Sequence, residues 1–446
     1  MIDVKKIKRF IHSMRMKRWE QQKHNEIVSW AKAFNNGKQR KSAGNHQIEQ
    51  ITFVCEEFFH DNLGGYGGFG MTVKNIAQHF NSSNQNNTKV SLAIPQGSRL
   101  VSEPSLMSFH DTTVALRPQQ SPLQTKTFTR YSELIGSLHP TALITIDWYP
   151  SYEVAALASS ETPIILWIHD PRDRVEWENI SGIAEELEFR GLQSKKQLIS
   201  LADEKHASIC RLKHAQNKIP RKIIFATTAQ TLVPRAERAY GIGPIKAHWL
   251  PNPINIPDVA EIEYSPTPTI LYLGRLDAVK RPWVVFELAK RHPNITFLIA
   301  GKSHRPDLSD RWMSRYKNLS NLQLLGHIDG EGKDKLLRSC WGLINTSVHE
   351  AEPVSFLEAF AYGKSVIACH DPDYAVTKFG YYTGEILGEG LDEESLKKFD
   401  TQLAKLTSDK DARLNKGFAA RQEMMKNHTF ESFQLHLTEI IKSENI

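Results

Sequence analysis

The segment from Ser347 to Ala368 reads SVHEAEPVSFLEAFAYGKSVIA and contains two glutamates, Glu350 and Glu358. It follows an apolar run, Gly342 to Asn345, and its last residues form a second apolar run. Between the two, apolar residues recur at helical spacing from Val354 to Tyr362. The pattern predicts a strand–loop–helix–strand unit with Glu350 in the loop and Glu358 near the start of the helix.

The two carboxylates of this segment, Glu350 and Glu358, are separated by seven residues. A helix N-terminus carries unpaired N–H groups and a partial positive charge, so it stabilises anions placed there. Ala359, Ala361 and Gly363 are small and leave room for another group to approach the backbone. Two glutamates alone are most simply explained as a loop residue and a complement to the helix dipole. The residues around them favour a functional role.

This segment resembles the motif E-x-x-P-V-S-x-x-E-A-x-A-x-G of retaining, nucleotide-sugar-dependent glycosyltransferases of family 4. The resemblance implies that Glu350 lies beside the transferred sugar and that Glu358 holds the ribose hydroxyls. A carboxylate suits the second role because it accepts two hydroxyl hydrogen bonds at once, and charge-assisted hydrogen bonds are the stronger kind.

The length and composition indicate a soluble protein of more than one domain. A chain of 446 residues is too long for one compact core, and 40% apolar residues are ordinary for a globular protein. No run approaches the roughly 18 apolar residues of a membrane span, and no signal peptide follows the basic N-terminus. The four cysteines have no metal-ligand spacing. We therefore expect a reduced, cytoplasmic location.

The net charge of +6 is concentrated near the N-terminus. Residues 1–42 contain twelve Lys and Arg against three acids, so the remainder of the chain is slightly acidic. Residues 1–35 show helical apolar spacing, and 35–47 form a polar linker. Such a basic amphipathic helix either lies on an anionic membrane surface or packs its apolar stripe on the next domain. A nucleic-acid partner is not expected, since no known nucleic-acid module is recognisable.

A glycine-rich loop follows the first strand-like run, Ile51 to Cys55. Gly65, Gly67 and Gly70 satisfy G-x-G-x-x-G, but the loop lies too far from the strand, and no acid follows where a ribose-binding carboxylate is expected. Backbone N–H groups before a helix still suit a phosphate. In the resembling family, the glycines that match Gly67 and Gly68 face the donor phosphates and the acceptor.

Further strand-like runs alternate with helical segments, which is typical of a parallel sheet with helices on both faces. These runs are 90–94, 142–146, 164–168 and 223–227. Ligands bind at the carboxyl ends of such strands, where His169 and Asp170 stand. The sequence leaves a structural and a functional role for His169 equally open. In the resembling family, a histidine at such a strand end contacts the transferred sugar.

A proline-rich stretch, Leu250 to Pro257, predicts a domain boundary. It resembles a hinge of the same family in which Pro253 replaces a glycine. We divide the chain into a basic helical extension and linker (1–46), an N-terminal Rossmann-like acceptor-side domain (47–253) and a C-terminal Rossmann-like donor domain (254–446). The resemblance implies that the final helix crosses back to the N-terminal domain.

The C-terminal domain opens with ILYLGRLDAVKRP, Ile270 to Pro282. Gly274 frees space at a strand end, and the cations Arg275 and Lys280 follow in one loop. Arginine binds a diphosphate bidentately and lysine adds a point charge, and the alternative is two ordinary surface cations. The glutamates downstream, in the same order as in the resembling family, favour the diphosphate. Two more strands follow, and the family resemblance places residues around His327 and Ile328 against the nucleobase.

Asp371 and Asp373 form a D-x-D sequence, which marks a metal site in another glycosyltransferase fold. There the motif follows an N-terminal nucleotide-binding half, whereas here it lies far into the second domain. Asp409 and Asp411 repeat the pattern by chance. We expect no metal and no other cofactor.

The resemblance covers about residues 51–440. It implies an α/β protein of GT-B architecture, with two Rossmann-like, doubly wound parallel-sheet domains facing across a cleft. It also implies transfer of a sugar, with retention, from a nucleoside diphosphate sugar to a saccharide or lipid-linked saccharide in cell-envelope polysaccharide or glycoconjugate synthesis. Arg275 and Lys280 would then stabilise the leaving diphosphate. The alternatives are a nucleotide-sugar epimerase, a non-catalytic nucleotide-sugar-binding protein and, less favoured, a nucleotide-cofactor oxidoreductase.

Overall fold

The computed structural model describes Asn25 and residues 49–58, 67–82, 88–120, 123–159, 162–216, 221–258 and 263–446. The predicted basic extension, apart from Asn25, lies outside the described residues. So do residues 59–66, which include the start of the glycine-rich loop.

The first part of the described chain alternates strands with helices. Its strands are β1 (Glu49–Val54), β2 (Thr88–Ala93), β3 (Ser105–Phe109), β4 (Thr112–Leu116), β5 (Ala142–Ile146), β6 (Ile164–Ile168), β7 (Ile223–Thr227) and β8 (Ala247–Trp249). Its helices are α1 (Gly68–Ser82), α2 (Thr125–Ser137), α3 (Tyr152–Ala158), α4 (Arg174–Ile180), α5 (Ala184–Phe189), α6 (Lys195–Gln216) and α7 (Val233–Tyr240).

The second part continues the alternation and ends in helices. Its strands are β9 (Thr269–Leu273), β10 (Thr296–Ala300), β11 (Leu322–Gly326), β12 (Gly342–Asn345), β13 (Ser365–Ala368) and β14 (Tyr381–Tyr382). Its helices are α8 (Pro282–Arg291), α9 (Pro306–Met313), α10 (Gly330–Ser339), α11 (Val354–Ala361), α12 (Ala375–Phe379), α13 (Glu393–Ser408), α14 (Lys410–Asn427) and α15 (Phe430–Ser443). A 3-10 turn, Ala278–Lys280, precedes α8.

The strands form two sheets. The larger has the order β3-β4-β2-β1-β5-β6-β7-β8, and the smaller has the order β11-β10-β9-β12-β13-β14. All five pairings of the smaller sheet are parallel. The predicted parallel α/β architecture is therefore confirmed, and the strand-like runs of the sequence correspond to strands.

One hairpin breaks the parallel pattern, and the sequence did not predict it. Strand β3 pairs antiparallel with β4. His110 and Asp111 join the strands with φ angles of 46° and 58°. Positive φ at both turn residues is the geometry of a tight hairpin turn, and it usually calls for Asn-Gly or a similar pair. Because neither residue is glycine, the turn is not visible from composition.

The chain divides into two compact units. The first takes the described residues up to Trp167 together with 205–225 and 444–446, and the second takes 168–204 and 226–443. Hydrophobic burial explains why the segment after β6 belongs to the second unit, because Trp177 and Ile180 share a core cluster with Trp283 and Phe286. The border predicted after Pro253 falls inside the second unit, and as a domain division it stays a prediction.

The C-terminal periodicity is confirmed as helix α15, which buries Phe433, Leu437, Ile440 and Ile441. The predicted return of this helix to the N-terminal domain stays a prediction. Among the described residues, no helix has both the length and the apolar character needed to cross a membrane.

Candidate functional site

The carboxyl ends of β9, β10, β12 and β13 lie at one edge of the smaller sheet, because these strands are parallel. Three of these strand ends are followed by polar residues, two of which the sequence predicted as site residues. Arg275 follows β9, Glu350 follows β12 and His370 follows β13. This edge is the candidate site of the second unit.

Glu350 is buried, and its Oε1 atom accepts three hydrogen bonds. Lys280 Nζ lies 2.6 Å away, Ser347 Oγ 2.6 Å and Asn345 Nδ2 2.9 Å. Burial by itself would raise the pKa of this carboxyl, but the charge and hydrogen bond of Lys280, with the bonds from Ser347 and Asn345, lower it to about 2. The side chain is therefore held as a carboxylate in one orientation.

Lys280 and Glu350, predicted separately, are joined in one ion pair. Lys280 ends the 3-10 turn before α8, and its side chain is 23% exposed. The lysine thus reaches the carboxylate without being enclosed, and part of its side-chain surface remains accessible.

Arg275 is held by Asp277 of its own loop and by His304 of the loop that follows β10. Its Nη1 lies 2.8 Å from Asp277 Oδ2 and 3.2 Å from His304 Nδ1. Buried Asp277 also accepts the backbone N–H of His304 at 3.1 Å. A Cβ at Gly301 would overlap the carbonyl oxygen of Gly274, so the close approach of these two strand ends requires glycine. The Arg275 side chain itself is 40% exposed.

Arg281, which the sequence analysis missed, lies directly beside Lys280 and is fully buried. Its guanidinium donates to the carbonyl oxygens of Thr346 at 2.6 Å, Ser347 at 3.0 Å and Gly388 at 2.9 Å. Its φ of 45° is left-handed, a conformation that costs a non-glycine residue about 1–3 kcal/mol unless the surroundings enforce it. The three hydrogen bonds to the backbone hold Arg281 in this conformation and fix the loop before Glu350.

Glu358 lies in helix α11, as predicted, but on its fifth residue and therefore in the second turn. The helix begins at Val354, where the apolar spacing predicted it, so Glu358 stands one turn past the helix start. Its Oε1 accepts a hydrogen bond from Lys333 Nζ on α10 at 2.5 Å. Both side chains are partly exposed, so a ligand hydroxyl can reach the carboxylate.

His169 follows β6 immediately and is buried. The next residue, Asp170, accepts two N–H groups of Arg172 at 2.9 and 2.7 Å. Asp170 Oδ1 also lies 2.6 Å from His349 Nε2, and Glu176 Oε2 lies 2.5 Å from His349 Nδ1. The structure therefore joins the residue after His169 to the residue before Glu350.

The position of Glu176 follows from the start of helix α4. Asp173 caps this helix and accepts the backbone N–H of Glu176 at 2.9 Å. Glu176 also lies 3.2 Å from Arg235, which donates to the carbonyl oxygen of Glu350 at 3.0 Å. The sequence HDPRD pointed to polar residues here, but nothing in it indicated His349 as their partner.

His327 and Ile328 follow β11, the strand next to β10 in the smaller sheet. His327 is exposed and lies 3.6 Å from Asp329, whereas Ile328 is half-buried against a hydrophobic cluster. They stand at the same sheet edge as the other predicted residues, and their contact with a base stays a prediction.

Gly67 and Gly68 belong to the first unit, at the start of α1. Gly70 N–H donates to Glu57 Oε2 at 3.1 Å, and a Cβ at Gly67 would overlap that same carboxylate. In contrast, a Cβ at Gly68 would meet open space. An acidic side chain therefore lies against the helix N-terminus that the sequence assigns to a phosphate.

The D-x-D carboxylates bind backbone N–H groups. Asp371 accepts those of Val376 at 2.7 Å and Thr377 at 3.1 Å, and Asp373 accepts those of Gln230 and Thr231 at 2.8 Å each. Within the described part of the chain, no three or more His, Cys, Asp or Glu residues converge on a possible metal position. The expectation of no metal stays a prediction.

Sequence comparison finds a family match in the second half of the chain. Residues 259–422 match the family described as Glycosyl transferases group 1. This range contains Arg275, Lys280, Glu350 and Glu358. No curated protein matches the sequence.

Solved structures share the fold at low identity. Anabaena Alr3699/HepE in complex with UDP and glucose has a TM-score of 0.61 and 14% identity, and the match covers 89% of this chain and 100% of that one. Sucrose-phosphate synthase from Thermosynechococcus elongatus has a TM-score of 0.62 and 14% identity, with coverage of 89% and 98%. The lipopolysaccharide outer core galactosyltransferase WaaB in its apo form has a TM-score of 0.57 and 16% identity, with coverage of 89% and 99%. The predicted two-sheet GT-B fold is confirmed.

Proposed function

We propose that this chain is a glycosyltransferase that moves a sugar, with retention of configuration, from a nucleoside diphosphate sugar to a saccharide or lipid-linked saccharide. The observation that carries the proposal is the Lys280–Glu350 pair, which lies with Arg275 at one sheet edge inside the segment that matches group 1 glycosyltransferases. A cation and a fixed carboxylate at this edge suit a diphosphate and its attached sugar.

Arg275 and Lys280 serve the leaving group. As the bond between the sugar and the diphosphate breaks, negative charge develops on the phosphate oxygens. Cations that are already oriented stabilise this charge without reorganisation, and such groups contribute several kcal/mol. Asp277 and Glu350 hold the two cations in place.

Glu350 orients the sugar in this proposal and is not its nucleophile. Its Oε1 already accepts three donors, which reduces the nucleophilicity of that oxygen. A front-face reaction assisted by the leaving diphosphate needs no enzyme nucleophile. His169, buried at the end of β6, is the second residue that we assign to the sugar.

Glu358 binds the ribose hydroxyls of the donor, which replace Lys333 as the hydrogen-bond donor to its carboxylate. The HepE structure, which shares this fold, is described as a complex with UDP and glucose, and this supports a nucleoside diphosphate sugar as the donor. The base and the sugar are to be found by screening.

The experiment begins with thermal shift in the presence of common nucleoside diphosphate sugars, because a bound ligand stabilises the folded state by mass action. Release of the nucleoside diphosphate and transfer of labelled sugar to acceptors are then measured, and NMR of the product reports its anomeric configuration. Arg275→Ala is the control. A chain that binds no donor, or that only isomerises it, contradicts the proposal, and inversion contradicts the retaining mechanism.

We further propose that residues 1–42 bring the enzyme to the anionic surface of the cytoplasmic membrane and to a lipid-linked acceptor for envelope polysaccharide. Their surplus of nine positive charges supports this, since each basic residue near such a surface contributes about 1 kcal/mol. We expect binding to anionic but not neutral vesicles, release by salt, and loss of binding when residues 1–42 are deleted. Equal binding by the deletion variant would contradict this role.

A further inference from the structure

His349 is enclosed between two carboxylates. Its side chain is 1% exposed, with Nδ1 at 2.5 Å from Glu176 Oε2 and Nε2 at 2.6 Å from Asp170 Oδ1. A neutral imidazole carries one N–H, whereas the protonated ring carries two. Ionised carboxylates accept hydrogen bonds and cannot donate them. Both contacts are therefore hydrogen bonds only when His349 is an imidazolium.

Each of the two carboxylates also has an arginine. Arg172 binds Asp170, and Arg235 lies 3.2 Å from Glu176. Although burial opposes it, Arg172 and His349 keep the pKa of Asp170 well below its usual range, and His349 and Arg235 likewise lower that of Glu176. Both acids are thus charged at neutral pH, and two guanidinium groups balance them.

The neighbouring histidine, His370, does not share this environment. Its Nε2 lies 3.1 Å from the carbonyl oxygen of Ser347, and burial lowers its pKa to about 4. The carboxylate of Glu350 forms its ion pair with Lys280. Among the groups that face this cluster, His349 is therefore the histidine placed to hold a proton at neutral pH.

The cluster of Asp170, Glu176 and His349 connects His169 and Glu350, the two residues that the proposed function places beside the transferred sugar. Asp170 directly follows His169, and His349 directly precedes Glu350. Arg235 reaches the same loop by donating to the carbonyl oxygen of Glu350. A hydrogen bond between Asp170 and His349 therefore fixes the separation of His169 and Glu350, which are 181 positions apart in the chain.

We propose that His349 is a positioning residue: as an imidazolium between Asp170 and Glu176, it holds the Glu350 loop against the segment that contains His169 and Asp170, in the geometry that sugar transfer requires. This inference rests on the proposed function for the roles of His169 and Glu350. Loss of the proton leaves one of the two partly buried carboxylates without the histidine N–H and with its arginine alone, which weakens the link and loosens the loop.

The first variant is His349→Gln, which keeps one N–H donor group and replaces the other contact by a carbonyl oxygen. We expect kcat to fall at least about tenfold while the donor KM changes less than about threefold, because orientation at the reacting centre is lost and ground-state binding is kept.

The second variant tests the hydrogen bonds directly. In His349→Gln with Glu176→Gln, the new carbonyl at 349 accepts from the new amide at 176, while the amide at 349 donates to Asp170. We expect this double variant to recover part of kcat. His214→Gln, an exposed change on α6, is the matched control and should behave as wild type.

A readout without substrate completes the test. Nitrogen NMR of the histidine-labelled protein, with His349→Gln for assignment, should show both ring nitrogens of His349 protonated at neutral pH. A neutral His349 overturns the inference, as does a His349→Gln variant with wild-type kcat. Wild-type protein that neither binds nor cleaves a donor overturns the proposed function instead, and the NMR signal then still decides the charge of His349.

Discussion

The two ends of the glutamate motif present two kinds of carboxylate. Glu350 is buried, and donors from its own loop and from Lys280 fix one of its oxygens. Glu358 is partly exposed and pairs with Lys333, a lysine on the preceding helix, α10. The first environment is built before any ligand arrives, as electrostatic catalysis requires. The second resembles a surface ion pair, which a ligand can replace at little cost.

The largest effect expected at the Glu350 end comes from its cationic neighbours. Lys280→Ala or Arg275→Ala should reduce turnover by about 10²–10³-fold, because a preoriented charge for the leaving group is lost. The fold should persist, since both side chains are partly exposed. Steady-state kinetics with saturating donor and circular dichroism check both points. Near wild-type turnover in either variant would show that the diphosphate lies elsewhere.

Glu350→Gln should lower turnover more than donor affinity, and it should also change acid stability. The folded pKa of about 2 lies below the ordinary 4.5, so Glu350 stabilises the fold above about pH 4.5 and loses that effect as the pH falls toward 2. The shift corresponds to on the order of 3 kcal/mol. Denaturant unfolding at several pH values should show the wild-type advantage shrinking across this window. A constant difference would contradict the assignment.

Glu358→Gln should weaken donor binding by roughly 1–3 kcal/mol, because an amide accepts ribose hydroxyls less well than a carboxylate. Turnover at saturating donor should change less. Lys333→Met is the matched control, since it removes the partner but keeps the carboxylate, and donor affinity should stay near wild type. Calorimetric titration measures both variants. If Glu350→Gln and Glu358→Gln changed turnover and affinity alike, the two ends would not have separate roles.

Glu352, two residues beyond Glu350, provides a smaller test of the same loop. Burial raises its pKa to about 8, against the effect of a hydrogen bond from Asn252. Because this folded value exceeds the ordinary 4.5, the residue reduces stability as the pH rises between these values. Glu352→Gln should therefore stabilise the protein by on the order of 1 kcal/mol near pH 8 and by less near pH 5. Thermal unfolding across this range measures it, and an equal gain at both ends would contradict it.

No effect is expected from a chelator. Asp371 and Asp373 already accept backbone N–H groups, and Arg275 and Lys280 supply the positive charge. Turnover should be the same with and without a strong chelator of divalent metals. An absolute requirement for Mg²⁺ or Mn²⁺ would assign a metal to the D-x-D segment.

The sequence predicted the parts of the molecule that local patterns specify. The apolar runs 142–146, 164–168 and 223–227 correspond to β5, β6 and β7, because strands buried on both faces read as continuous apolar runs. Arg275, Lys280 and Glu350 also lie at one sheet edge as expected, since parallel strands place their carboxyl ends together.

What the sequence did not predict depends on contacts between distant segments. His349 meets Asp170 and Glu176 across 179 and 173 positions, and no spacing in the chain links them. In the sequence Arg281 is simply another cation beside Lys280, and nothing there indicates that its side chain is fully buried. Burial raises the pKa of Glu352, and the hydrogen-bond partner of its carboxyl, Asn252, lies 100 positions away. Burial and pairing of this kind exist only in the folded molecule.

Arg281 has a consequence for the order in which the protein folds. Its hydrogen bonds reach residues 65, 66 and 107 positions along the chain, to Thr346, Ser347 and Gly388. Closing such long loops costs conformational entropy. Contacts at these sequence separations therefore form late in folding. Until they form, nothing compels Arg281 to keep its left-handed backbone, and Lys280 has no fixed direction. A nascent chain that ends before Thr346 therefore lacks all three of these hydrogen bonds, whatever the state of the strands that precede them.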